Sequence, residues 1–506
     1  MRYHLVPLGC QMNISDSERL RAVLESLGYV RTESEEDADL LGIVACSVRQ
    51  KSIDKVYSRI HKWNTWKKSR QLITFVSGCI LPADHDKFLD RFDLVFPITG
   101  LPHLPELLQG YGMVTEASIR AAEIGAGRES AREPAEVIPR EALDDSKRGY
   151  WRIPPDYASD FEAYVPIQNG CDKFCAFCAV PYTRGREVSR PSGEILAEVE
   201  RLVTEGYKSI TLLGQNVNSY GLDRANRKSG AEITFPGLLR RIGEIGRSSG
   251  RRFWTYFTSP HPHDMSGELI DTIAEYEVLG RQIHLPIQSG DDEVLRRMNR
   301  GYGIDEYRSI VRAIRSRMPE ASLFTDVIVG FTGETEEQFE ATRRAMEEFR
   351  YNMAYVAAYS PRPGAASARW DDDVPQAEKL RRLHDLGTVL QRTSGEYNRA
   401  LVGAEVSVLV DGIDRKPGYL TGKTEGRLIV RFPSTSGDLI GEFVTVRIET
   451  AAALSMEGTL LAVEPDTLAE SRLQRERSRE AFRAAQAGHA MTMADRGETG
   501  DKQRPA

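Results

Sequence analysis

Over residues 1–113, short apolar runs alternate with stretches whose apolar residues recur at three- and four-residue spacing, the pattern of strands interleaved with amphipathic helices. Residues 15–27 read as a helix with Leu20, Val23 and Leu24 on one face and Ser15 or Asp16 as its cap. Residues 93–96 read as a strand, and residues 104–108 open a helix. Three further apolar runs each end in a cysteine, at Cys10, Cys46 and Cys79. This is the layout of an α/β domain delivering three thiols to one sheet edge, where open α/β folds place ligands.

The pattern lapses after residue 113. Residues 115–149 contain no aromatic side chain and mix Arg and Glu with Ala and Gly, so residues 114–156 read as a mobile linker. From 157 to 390 strand and helix alternate in register. Strands are predicted at 163–167, 209–213, 253–258, 282–287, 323–329 and 352–358, with helices at 193–205, 234–244, 267–276, 305–317 and 336–349. Six such units in order imply a parallel sheet curled into a partial (βα)6 barrel, with its ligand face at the carboxyl ends of the strands. Residues 393–463 switch to short strands broken by glycines, at 404–409, 419–421, 427–432 and 442–448, which suits a small antiparallel β-barrel. Residues 464–506 are rich in Arg, Glu, Ala and Gln and read as a polar tail, a solvated helix followed by disorder.

Composition adds limits. The 506 residues are 41% hydrophobic and 28% charged, with a formal net charge of −7. That suits a globular α/β protein with a proper core and argues against sequence-blind nucleic-acid binding, so any RNA contact should be local. Residues 1–8 read as a strand rather than a leader, and no apolar run reaches transmembrane length. A cytoplasmic protein with no membrane association is expected, in a compartment that keeps thiols reduced.

The chemistry lies in six cysteines. Cys171, Cys175 and Cys178 fall in one short loop directly after the first barrel strand, with no fourth cysteine nearby. A four-iron cubane normally takes four thiolates, so this loop would leave one iron open to bind a small molecule. A zinc knuckle is the competing reading, but it would need a fourth Cys or His. For Cys10, Cys46 and Cys79, spacing alone leaves a second cluster and three buried structural cysteines equally open.

The loop, with Phe177 just before Cys178, resembles the radical S-adenosylmethionine (SAM) signature. The order of domains and several local phrases then resemble the methylthiotransferase family. These phrases are Gly9-Cys10-Gln11-Met12-Asn13 with Asp16-Ser17-Glu18, Val180-Pro181-Tyr182-Thr183-Arg184-Gly185-Arg186, Leu212-Leu213-Gly214-Gln215-Asn216-Val217-Asn218, His284-Leu285-Pro286-Ile287-Gln288-Ser289-Gly290, Gly333-Glu334-Thr335 and Tyr359-Ser360-Pro361-Arg362-Pro363-Gly364. The terminal barrel resembles the TRAM domain, an RNA-binding module.

The resemblance implies two [4Fe-4S] clusters and SAM. Cys171, Cys175 and Cys178 would hold the catalytic cluster that cleaves SAM to a 5′-deoxyadenosyl radical. Cys10, Cys46 and Cys79 would hold an auxiliary cluster carrying the sulfur to be inserted, and a second SAM would supply the methyl group. Gly214, Gln215, Asn216, Gln288 and Ser289 would lie near SAM, although strand-end turns alone could explain them. The expected reaction adds a methylthio group at C2 of an isopentenyl-modified adenosine beside the tRNA anticodon. The alternatives within the family are threonylcarbamoyl-adenosine and a ribosomal-protein aspartate. From a different class, an RNA-binding protein with structural metal also stays open. Expected partners are the tRNA anticodon loop and a low-potential electron donor such as a flavodoxin or ferredoxin, with the enzyme a monomer.

Arg415, Lys416, Lys423, Arg427 and Arg431 are candidate phosphate contacts. Trp63, Trp66, Lys67, Lys68 and Arg70 form a second basic-aromatic stretch, which either stacks on bases or packs into the core. Ala45, Ile80-Leu81-Pro82 and Thr332 depart from the family pattern, without removing any cysteine.

Overall fold

The computed structural model describes residues 1–47, 50–112 and 149–467. Most of the expected linker and the expected tail beyond residue 467 therefore lie outside the described residues.

The first domain is a five-stranded, all-parallel sheet of β1 (Arg2–Leu8), β2 (Val30–Arg31), β3 (Leu40–Cys46), β4 (Ile73–Cys79) and β5 (Leu94–Val95), in the order β2-β1-β3-β4-β5. Strand β3 is buried along its whole length, as a parallel strand covered on both faces must be. The order reverses between β1 and β3, and such a switch point opens a crevice at the carboxyl ends of the strands. Helix α1 (Gln11–Ser26) leaves β1 directly, with Cys10 at its N-cap. The expected start at Ser15 or Asp16 is thus corrected. Asn13 Oδ1 accepts from the Cys10 backbone amide and begins the helix earlier. Ser15 and Asp16 sit inside it, wholly buried.

Helix α1 buries its polar side as well as its apolar one, because it is wedged against the second domain. Ser15 donates to the Tyr164 carbonyl, and the Ala158 amide donates to Glu18. Tyr150 and Trp151 join the core around Leu20, Leu24 and Phe75. The last residues of the expected linker are therefore part of the first domain's packing. Helix α2 (Gln50–Trp66) buries Trp63 completely, while Trp66 is flanked by Lys62 and Arg70. Of the two readings of that stretch, packing is the one realised.

The second domain carries β6 (Glu162–Pro166), a small ribbon of β7 (Gln168–Asn169) and β8 (Val188–Ser189), then β9 (Ser209–Leu213), β10 (Trp254–Phe257), β11 (Gln282–His284), β12 (Ser322–Val329) and β13 (Met353–Ala358). The six principal strands form two parallel three-stranded sheets, β6-β9-β10 and β11-β12-β13, bridged by the Thr255–Leu279 pair. This is the expected open half-barrel, with each strand within one to three residues of its predicted bounds. The intervening helices α3 (Ser192–Glu205), α4 (Phe235–Ser249), α5 (Gly267–Glu275), α6 (Ile304–Arg317) and α7 (Glu336–Phe349) cover it outside. Their apolar stripes and the strands' inner faces make one continuous core.

Helix α8 (Gln376–Arg399) leads into a closed barrel of β14 (Glu405–Ile413), β15 (Tyr419–Thr424), β16 (Ile429–Pro433), β17 (Phe443–Ala451) and β18 (Met456–Val463). Two expectations change here. A fifth strand, β18, was not predicted, because past Gly458 its side chains are mostly exposed and its apolar alternation is weak. The barrel is also not wholly antiparallel, since β16 and β18 pair in parallel to close it. The barrel docks on the half-barrel through Trp254, Tyr256, Leu409 and Phe443. No helix among the described residues is long and apolar enough to cross a membrane.

Candidate active site

The first-domain sheet and the half-barrel open onto one cavity of about 1350 Å3, and residues of all three domains line it. Cys10, Cys46 and Cys79 reach it from the first sheet and Cys178 from the second domain. Topology alone brings the first three together. Strands β3 and β4 pair in register so that Cys46 lies beside Cys79, and Cys10 follows β1 on the other side of β3. Asn13 ties this end together by donating to the Ala45 carbonyl at 2.9 Å. Any residue offers that carbonyl, so the unusual Ala45 costs the site nothing. Pro82, one of the other departures, opens the helix Pro82–Leu89, a position where its missing N–H is no loss.

Cys171, Cys175 and Cys178 are held by a braced loop. The Cys171 amide donates to the Gly185 carbonyl, the Ala176 amide to Met298, and the Asn299 side chain to the carbonyls of Lys173 and Phe174. Phe174 adopts φ +48°, uncommon for a bulky residue. Glycines precede cysteines in both sites for the same reason. At Gly78 (φ +110°) an added Cβ would stand 2.4 Å from the Ala45 carbonyl oxygen, and at Gly170 (φ +84°) 2.1 Å from that of Arg186.

Each site also has one thiol facing a buried arginine, and neither arginine was singled out in the sequence. Arg300 donates to Cys175 Sγ at 3.1 Å and to the Pro286 carbonyl, tying the loop to the His284–Gly290 turn. Arg184 donates to Cys79 Sγ at 2.9 Å and pairs with Asp16 at 2.5 Å. Tyr150 donates to the other Asp16 oxygen at 2.6 Å. Arg184 and Asp16 stand inside motifs already quoted, but only the docking of the domains brings them together. Arg300 carries no local signal.

The cysteines are all free thiols. Burial pushes Cys171 up to about 12 and Cys178 up to about 11. Cys79 is held well above the ordinary thiol range, first by its hydrogen bond with Cys46 and then by burial, against the pull of Arg184. These thiols become thiolates only when a bound cation displaces their protons. The donor chemistry fits iron clusters. Among the described residues, no three His, Cys, Asp or Glu side chains converge closely enough to hold a single ion. A cubane gives each thiolate its own iron.

The expected SAM contacts divide. Gly214, Gln215 and Gln288 line the cavity. Gln288 takes φ +65° and its Oε1 is buried with no partner, an acceptor left for a ligand. Asn216 and Ser289 do not line it. Asn216 donates to Asp264, and Ser289 meets Thr342 behind the turn.

The candidate RNA contacts divide as well. Lys423 and Arg427 line the cavity, with Arg427 stacked 4.0 Å over Tyr256 and donating to Thr211. Arg415 and Lys416 lie in the exposed turn between β14 and β15, and Arg431 pairs with Asp414, all away from the cavity. Besides Arg184, two cavity cations went unpredicted, Lys51 on α2 and Arg362 after β13.

Three family models match successive parts of the chain. The model of the Radical SAM superfamily matches residues 165–346, that of the Uncharacterized protein family UPF0004 matches 2–100, and that of the TRAM domain matches 399–461. The tRNA-2-methylthio-N(6)-dimethylallyladenosine synthase of Geobacter metallireducens is 39% identical over 460 residues, covering 90% of this chain and 98% of its own length. The proteins of the same name from Pelobacter propionicus and Dictyoglomus thermophilum are 40% and 37% identical, covering 90% and 91% of this chain and 98% of each relative.

Proposed function

The chain belongs to the methylthiotransferase family, and from that premise we infer that it is a radical SAM enzyme of tRNA. It adds a methylthio group at C2 of N6-dimethylallyladenosine beside the anticodon. The observation that carries this reading is the single cavity, which gathers the three sheet cysteines, Cys178 of the loop, an unpartnered Gln288 acceptor and cations from three domains.

We assign Cys171, Cys175 and Cys178 to the cluster that works with SAM, and Cys10, Cys46 and Cys79 to an auxiliary cluster. Together these groups supply the radical chemistry and the sulfur that an unactivated aromatic carbon requires. The chain's own residues position the reactants. Gly214 lines the cavity after β9, Gln215 is anchored by accepting from the Gly170 amide, and Gln288 offers its free oxygen. Lys51, Arg362, Lys423 and Arg427 supply positive charge for anticodon-loop phosphates on a chain that is acidic overall. The target base must leave its stack to enter, as bases do for enzymes that modify them. Ile328, Val356 and Leu454 give it an apolar wall suited to the dimethylallyl arm.

We take the working unit to be a monomer. The electrons would come from a low-potential carrier such as a flavodoxin or ferredoxin, in the cytoplasm. The test is nucleoside mass spectrometry of total tRNA from cells with and without the gene. Loss of the methylthio group from dimethylallyladenosine, with the unthiolated nucleoside accumulating, is expected. An unchanged nucleoside would overturn the substrate and turn attention to threonylcarbamoyl-adenosine.

A further inference from the structure

Arg184 stands where the two cysteine sites meet. Its guanidinium lies 2.9 Å from Cys79 Sγ, while the next residue, Gly185, accepts the Cys171 amide through its carbonyl. Two consecutive residues thus hold a ligand candidate of each site. The side chain is 3% exposed and its partner Asp16 is 0% exposed, so the pair is fully withdrawn from water. The third nitrogen reaches Asn169 Oδ1 at 3.4 Å, and Tyr150 saturates the far oxygen of Asp16. Each nitrogen of this fork therefore has an acceptor, and that of Nε is sulfur.

Burying a charge against a thiol is costly where packing alone would serve. A neutral Gln or Met could fill the same space between domains. A guanidinium does something they cannot. Its N–H draws electron density from a thiolate, and its charge stabilises the more negative, reduced form of any cluster held there. Asp16 moderates that charge and fixes its direction. The hydrogen bond falls on Cys79, at one corner of the site.

We propose that Arg184 is a positioning residue which fixes Cys79 against the Cys171 loop and raises the reduction potential of the cluster held by Cys10, Cys46 and Cys79. This rests on the reading of those three cysteines as cluster ligands.

The test uses the full chain with Cys171, Cys175 and Cys178 all changed to Ala, reconstituted with iron and sulfide without oxygen, and titrated by EPR-monitored reduction. The parent should hold about four iron per chain and show one reducible centre. R184Q/D16N removes both charges together and spares the fold an unpaired ion, and its midpoint should fall. R184K keeps a charge without the fork, and its midpoint should fall less. Y150F loosens Asp16 from the far side without touching the sulfur, and its midpoint should stay with the parent. Equal midpoints for the parent, R184K and R184Q/D16N would overturn the role of Arg184. A parent that binds no iron would instead overturn the ligand reading itself, so the two failures are told apart.

Discussion

Cys171, Cys175 and Cys178 share one loop, whereas Cys10, Cys46 and Cys79 come from three strand ends of a sheet. The loop triplet is set by local bonds, chiefly Ala176 to Met298 and Asn299 to Phe174. The sheet triplet is set by the register of β3 on β4 and by the strand order that places β1 beside β3. Yet both end with one sulfur under a buried arginine and with a glycine at positive φ before a cysteine. The two routes differ in what can disturb them. A local site fails through its loop, while a topological site fails whenever the sheet edge or the domain contact shifts.

The sharpest way to break the comparison is to remove one sulfur from each site. Cys171→Ala should abolish both SAM cleavage and methylthio product. Cys46→Ala should leave SAM cleavage intact and abolish only the product. Chromatography of 5′-deoxyadenosine beside mass spectrometry of the tRNA reads both. Methylthio product from the Cys46 variant would mean that the sites do not divide the chemistry as proposed.

Next in size is the ion pair behind the sheet site. Asp16→Ala leaves Arg184 charged and buried without its carboxylate, which should cost about 3–5 kcal/mol of stability by chemical denaturation. A loss below about 1 kcal/mol would mean water or another acceptor reaches Arg184.

How far each site could be read in advance follows from the same contrast. The loop was plain in the chain because its donors, spacing and strand-end position are all local. The six barrel strands were legible too, since buried parallel strands are continuous apolar runs such as residues 209–213. The three other cysteines were visible as strand ends, but spacing could not say that β1 and β3 are neighbours. Arg184, Asp16 and Arg300 were hidden because their roles exist only after separate segments pack, and a buried arginine looks like a surface one in sequence. The start of α1 was misplaced for a related reason. Ser15 and Asp16 have the chemistry of caps, but here they face another domain rather than orphan amides.

A smaller change probes the sheet site's backbone. Gly78→Ala puts a Cβ 2.4 Å from the Ala45 carbonyl in a left-handed conformation. It should destabilise the chain by more than about 1 kcal/mol and lower iron at the sheet site, with SAM cleavage retained. Iron analysis on the background lacking the loop cysteines would check this, and full iron content would show that the β3–β4 edge tolerates displacement.

The smallest effects separate the cavity rim from the outer face of the terminal barrel. Arg427 stacks on Tyr256 at the cavity, whereas Lys416 sits on Tyr419 at 3.8 Å and pairs with Glu457 in an exposed turn. Arg427→Ala should weaken tRNA binding about tenfold, roughly 1.4 kcal/mol, and reduce the salt dependence by about one phosphate contact. Lys416→Ala should change affinity by less than about 1 kcal/mol, the usual range for an exposed pair. Filter binding of unmodified tRNA across a salt series distinguishes them. If Lys416 proved the larger, the anticodon loop would be gripped from the outer turn of the barrel, and the cavity cations would serve the base or SAM instead.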